Sequence, residues 1–221
     1  DFHRMYYHPS NSYIYLYGDL DVKERLEWLD REYLSKYDEA KVHSEIGIQP
    51  AFSAPREVYK KYSISNTESE EDNTYLSYNV SIDTSLDVQL AHAFAIIEYA
   101  LLSAPGAPLK QALLDAKVGK DIMGSYDSGT FQPVFSVIAK NSSKDKKESF
   151  LHIIKSVLEK IVKEGIDEKA LRAGINYMEF RFREADYGSF PKGLMYGIEL
   201  MDSWLYDETR PFDYLHQLEI F

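Results

Sequence analysis

The order of its segments predicts an α+β fold, a mixed or antiparallel sheet with helices packed on one face. Runs rich in β-branched and aromatic residues, which read as paired strands, come early, and amphipathic helices pile up late. The first run, residues 12–17 (SYIYLY), follows the turn-forming Pro9-Ser10-Asn11 and is closed by Gly18, so it reads as a short strand. A helix is expected directly after it. Asp21 is placed to cap the first turn with Glu24 three residues on, and Val22, Leu26, Leu29, Tyr33 and Tyr37 recur at helical spacing.

From residue 38 to residue 54 the periodicity stops. Gly47, Pro50, Pro55 and scattered charges have the composition of a linker between packed units, and a domain boundary is expected there. Residues 57–63 read as a strand, residues 66–73 (NTESEEDN) as an acidic solvated loop, and residues 75–82 as a second strand paired with the first in a hairpin. Ser85 offers a cap for a helix with Leu86, Leu90, Phe94, Ile97 and Leu101 on one face, ending at Pro105-Gly106. A shorter helix over residues 109–116 and strands over residues 121–131 and 134–139 follow.

Three long helices close the sequence. The first runs to Glu164 with Phe150, Ile153, Ile154, Val157, Ile161 and Val162 as its stripe. The second follows the Gly165 stop, is capped by Asp167, and carries Leu171, Ile175, Met178 and Phe182 to about Asp186. The third starts near Ser189 and Pro191 and carries Leu194, Ile198, Met201 and Leu205.

With 25 Lys plus Arg against 36 Asp plus Glu, the formal charge is −11, which disfavours a phosphate-tracking protein and an anionic membrane surface. No nucleic acid and no membrane is therefore expected among the partners. The 44% hydrophobic content is enough for a core. The absence of cysteine removes disulfides, cysteine nucleophiles and thiolate zinc sites. The most apolar run, residues 91–104, carries His92 and Glu98 and does not read as a membrane span. The opening Asp-Phe-His-Arg-Met is neither a signal peptide nor an initiator, so the chain is expected to be cut from a longer one.

Chemistry-bearing motifs are scarce. Among His3, His8, His43, His92, His152 and His216, no two have the three- or four-residue spacing that sets two imidazoles on one helical face. Neither H-E-x-x-H nor H-x-x-E-H occurs. His92 and His152 lie on amphipathic helices and read as surface or hydrogen-bonded histidines. Residues 105–110 (PGAPLK) lack the phosphate-loop pattern, and residues 124–129 (GSYDSG) lack the G-x-S-x-G spacing of a nucleophile elbow. Glu179, Glu184 and Asp186 interleave with Arg181 and Arg183 as a charged helix face. Asn79-Val80-Ser81 and Asn141-Ser142-Ser143 match a glycosylation sequon, a short motif that carries little information here. No catalytic or metal residue is assigned.

Three stretches resemble the presequence-protease branch of the insulinase, or pitrilysin-type, zinc peptidases. The first is Tyr7-His8-Pro9-Ser10-Asn11 followed by Ile14-Tyr15-Leu16-Tyr17-Gly18-Asp19. The second runs from Tyr75 through Pro105-Gly106-Ala107-Pro108-Leu109 to Gly129. The third starts at Gly165-Ile166-Asp167 and includes Arg181-Phe182-Arg183-Glu184, Phe190-Pro191-Lys192-Gly193-Leu194 and Trp204-Leu205-Tyr206-Asp207. That family is a four-domain clamshell closing over peptides, with its inverted zinc motif and glutamate early in the first domain.

The resemblance implies that residues 1–38 end the first, catalytic domain, residues 39–51 link, and residues 52–221 form most of the second, noncatalytic domain without its last strand. It implies zinc in the full-length parent and none here, with the remaining domains and a peptide substrate as partners. Gly106, Gln111, Gly124 and Ser125 are then the substrate-binding candidates, since a strand edge holds an extended peptide through main-chain hydrogen bonds. The strand at residues 12–17 is expected to dock where the second domain lacks its last strand, in the same chain or a neighbouring one. A catalytically silent structural or interaction module is the alternative, and bacterial cytoplasm, or else an organelle matrix, is the expected location.

Overall fold

Residues 134–142 (VFSVIAKNS) alternate, with Phe135, Val137 and Ala139 buried and Ser136, Ile138 and Lys140 less so, the pattern of a strand covered on one side. The computed structural model, which describes residues 1–185 and 187–220, makes them the centre of a three-stranded antiparallel sheet. Its strands are β1 (Thr74–Ser81), β2 (Asp121–Asp127) and β3 (Val134–Ser142), in the order β1-β3-β2. The described helices are α1 (Phe2–Tyr6), α2 (Val22–Glu32), α3 (Val88–Glu98), α4 (Pro108–Asp115), α5 (Lys147–Glu164), α6 (Glu168–Glu184) and α7 (Lys192–Trp204).

The chain divides into two compact units, one made of Asp1–Gly47 with the described part of Asp186–Leu215, the other of Ile48–Ala185 with the described part of His216–Phe221. In the second unit, Ile122, Phe135, Val137 and Ala139 from one sheet face meet Leu101, Leu102, Leu109, Leu113, Phe150 and Ile154 from the helices. This is the predicted α+β arrangement, with helices on one face. Asp167 caps α6 by accepting from the Lys169 and Ala170 amides, and Gly165, at φ +89°, ends α5. Asp87, rather than Ser85, caps α3, accepting from the Leu90 amide at 2.9 Å.

By length and apolarity Val88–Asp115 passes for a membrane span, since an 18-residue window within it has a mean hydropathy of 1.3. It is instead α3, a π turn at Tyr99–Ser103, a reversal closed by the Ala107 amide on the Ala104 carbonyl, and α4. Leu101, Leu102, Leu109 and Leu113 are core residues, so apolar composition here serves sheet packing.

Three further expectations are corrected. Residues 57–63 form no strand, and β1 pairs with β3 instead of with them. Side chains hold this stretch: Lys147 Nζ lies 2.7 Å from Glu57 Oε1 and donates to the Tyr59 hydroxyl at 3.2 Å, while the Tyr62 hydroxyl donates to Asn73 Oδ1 at 2.8 Å. Residues 12–17 are likewise no strand and are not part of this chain's sheet, so they do not supply its last strand.

The third correction concerns α7. Its buried residues are Gly193, Gly197, Leu200 and Ser203, while the expected stripe residues Leu194, Ile198 and Leu205 are 42%, 50% and 50% exposed. The reason is steric. Tyr13, Tyr15 and Tyr17, at alternate positions of the extended segment, lay their rings on this helix, with Tyr17 over Gly193 and Tyr15 over Gly197. The Tyr15 hydroxyl donates to the Gly193 carbonyl at 2.8 Å, and the Tyr13 ring meets Trp204 edge-on at 4.7 Å.

Candidate peptide-contact surface

β2 lies at the edge of the sheet. Because side chains alternate, Ile122, Gly124 and Tyr126 face the helices with Ala139, Val137 and Phe135, whereas Asp121, Met123, Ser125 and Asp127 are exposed on the other face. That open face is polar beyond β2 as well. Ser136 donates to Asn79 Oδ1 at 2.7 Å and Ser77 donates to the same oxygen at 2.9 Å. A strand edge beside a polar, solvent-facing surface suits an extended chain, which takes main-chain hydrogen bonds and leaves alternate side chains in water.

The four substrate candidates fall in different settings. Gly106 stands in the exposed reversal before α4 at φ +73°, a backbone conformation that favours glycine. Gln111 is exposed on α4 and donates to Asp115 Oδ1 at 2.6 Å. Gly124 and Ser125 are neighbours in β2 but point to opposite faces, Ser125 into the open and Gly124 against the helix layer. A Cβ at Gly124 would lie 2.6 Å from Leu102 Cβ, so close helix-to-sheet approach requires the glycine.

Sequence reasoning missed Glu98, the last residue of α3. Its half-buried carboxylate stands at the place a Gly124 side chain would take, and Ser103 of the π turn donates to Oε1 at 2.7 Å. The available signal was that Glu98 interrupts an apolar run. Tyr126, two residues along β2, has its phenol pushed up to about 12 by burial and then by the nearby Asp87 carboxylate.

The other titratable groups with shifted pKa values lie in separate settings. His92, expected as a surface or hydrogen-bonded residue, is 7% exposed, with its ring edge-on to Phe182 at 5.4 Å. Burial holds its pKa down at about 4. The Lys147 ammonium, hydrogen-bonded to Glu57 and then Tyr59, is raised above its ordinary range, and Glu57 is lowered, chiefly by the same bond. Glu179 pairs with Arg183 four residues on, the charged helix face expected, while Asp186 lies outside the described residues. Among the described residues no three His, Asp or Glu side chains converge as a metal site requires. They do not fit a zinc site, and no hydrolytic step is assigned to them.

The model of the Peptidase M16 inactive domain matches residues 1–178, and the chain belongs to that family, the insulinase-type peptidases.

Protein HypA of Clostridium perfringens is 42% identical over 94% of this chain and 21% of its own length. Presequence protease 1, chloroplastic/mitochondrial, of Arabidopsis thaliana is 33% identical over 99% of the chain and 20% of its own length. The chain thus spans about a fifth of the length of these relatives. The crystal structure of an inactive peptidase domain from Bordetella parapertussis shares the fold at a TM-score of 0.54 and 11% identity, covering 66% of this chain and 74% of that one.

Proposed function

We propose that the chain is a noncatalytic, substrate-enclosing part of a zinc-dependent peptidase that degrades peptides. The observation that carries this is the match to the inactive domain of the family together with likeness to presequence protease 1 along 99% of the chain. In that reading residues 1–38 belong to the end of the catalytic domain and residues 52–221 to the noncatalytic one. Zinc, held by residues of the longer protein beyond these 221, would polarise the scissile carbonyl and its attacking water. The residues described here would bind and orient the peptide along the β2 edge, with Ser125 on the open face and Gly106 and Gln111 at the neighbouring helix turn.

The experiment is photocrosslinking of an extended peptide to the full-length protein. Labels concentrated on residues 121–127 and on the turn at Gly106 support the reading. Labels that avoid both, with turnover intact, sink it.

A further inference from the structure

The sheet ends on β1 at one side and on β2 at the other, and the two edges differ in charge. β2 carries Asp121 and Asp127 at its ends. β1, with the sequence TYLSYNVS, has no charged residue, no Pro and no Gly, the composition that invites strand addition. Its cover comes from elsewhere in the chain. Residues 49–62 run beside β1 in the opposite direction. At the start, the Gln49 amide donates to Gln132 Oε1 at 2.7 Å, two residues before the Val134 that pairs with Ser81. At the end, the Tyr62 hydroxyl donates to Asn73 Oδ1 at 2.8 Å, beside Thr74. Between them, Lys147 Nζ lies 2.7 Å from Glu57 Oε1, and the Tyr59 hydroxyl accepts from Lys147 while donating to Glu57 Oε2 at 2.9 Å.

Lys147 opens α5 on the helix side of the sheet, whereas the Tyr62 ring meets Tyr75 at 5.6 Å, and Tyr75 lies within 6.0 Å of Lys140 on the open side. A segment that reaches both sides passes around the free edge of β1. It does so with side chains alone: among the described residues, 57–62 make no backbone-to-backbone hydrogen bond, and Val58, Tyr59 and Tyr62 stay exposed.

We propose that residues 57–62 are a latch that keeps β1 from pairing antiparallel with β1 of a second copy of this chain. The inference is independent of the peptide-holding reading. Centred on Tyr78, such a pair sets Leu76 opposite Val80 on the helix side and Ser77 opposite Asn79 on the open side. Apolar meets apolar, polar meets polar, and no charge repels. Two three-stranded sheets become one of six strands, an ordinary size, through a contact that is the same on both copies. The same construction on β2, centred on Gly124, puts Asp121 opposite Asp127 and is repelled. Exposed ion pairs hold weakly, so the latch can open without disturbing the core.

The test is sedimentation of the full-length protein over a concentration series, with hydrogen exchange on the same samples. Lys147→Met combined with Tyr62→Phe removes the attachments of residues 57–62 and leaves β1 intact. The variant should exchange faster at residues 57–62, self-associate about tenfold more tightly than wild type, and gain protection at residues 74–81 as concentration rises. Adding Ser77→Lys, a charge on the exposed side of that edge, should restore the wild-type profile. Sedimentation like wild type at every concentration would overturn the inference. So would unchanged exchange at residues 57–62, or self-association that survives Ser77→Lys and leaves residues 74–81 unprotected.

Discussion

The two compact units are held by different chemistry. In the unit centred on the sheet, aliphatic side chains from α3, α4 and α5 interdigitate with Ile122, Val137 and Ala139, several of them fully buried. In the other unit, extended backbone lies on a helix whose contact face is glycine, and the tyrosines that fill it stay 38% to 55% exposed. Among the described residues, those at 13–17 make no backbone hydrogen bond outside regular elements, so this contact rests on rings and two hydroxyls. The first arrangement favours cooperative stability and the second favours local opening.

The largest expected effect lies in the aliphatic core. Leu113→Ala removes a side chain with 0% exposure between α4 and the sheet and should cost about 2–5 kcal/mol in chemical denaturation. A cost below about 1 kcal/mol would mean that the core packs loosely.

Next comes the buried imidazole. His92 is neutral when folded, with its pKa at about 4 against 6.5 in an open chain, so the unfolded state takes up the proton first. Its contribution is complete above about pH 6.5 and is lost as pH falls toward 4, by about 3 kcal/mol. Comparing wild type with His92→Gln at pH 7 and pH 4.5 isolates it from the carboxylates. The variant should lose less stability on acidification, and parallel losses would contradict the assignment.

The glycine contact comes third. A Cβ at Gly197 would lie 2.5 Å from Tyr15 Cε1, and that ring is pinned by its bond to the Gly193 carbonyl. Gly197→Ala should free residues 12–17, seen as faster proteolysis at Gly18, while α7 itself gains about 1 kcal/mol of helix propensity. The denaturation midpoint of the sheet unit should not move. The smallest effect belongs to Lys147→Met, whose partners Glu57 and Tyr59 are exposed. It should leave that midpoint within error while raising hydrogen exchange around residues 57–62.

These contrasts also mark what the sequence could reveal. The existence of the helices in the sheet unit was legible because caps and spacing are local: Asp167, Gly165, Phe150 and Ile154 do what their spacing implies, although Asp87 and not Ser85 caps α3 and Val162 of the expected α5 stripe is 87% exposed. Strand existence was legible where burial enforces alternation, as in β3, but pairing was not. Residues 12–17 and 57–63 have strand composition, yet whether such a run joins a sheet depends on partners distant in the chain. On α7 the leucine stripe misled because the buried face is built from glycines, whose role shows only once tyrosines almost 180 residues away are in place. Ser125 was identifiable as an exposed strand residue, whereas Glu98 was hidden as a charge within an apolar helix.

The central claim is that these residues hold a peptide and leave its cleavage to residues elsewhere in a longer protein. The most direct measurement is turnover of a quenched fluorescent peptide by the purified 221-residue chain with zinc added. The account predicts no cleavage above the metal-only blank. Zinc-dependent turnover that a chelator abolishes would contradict it.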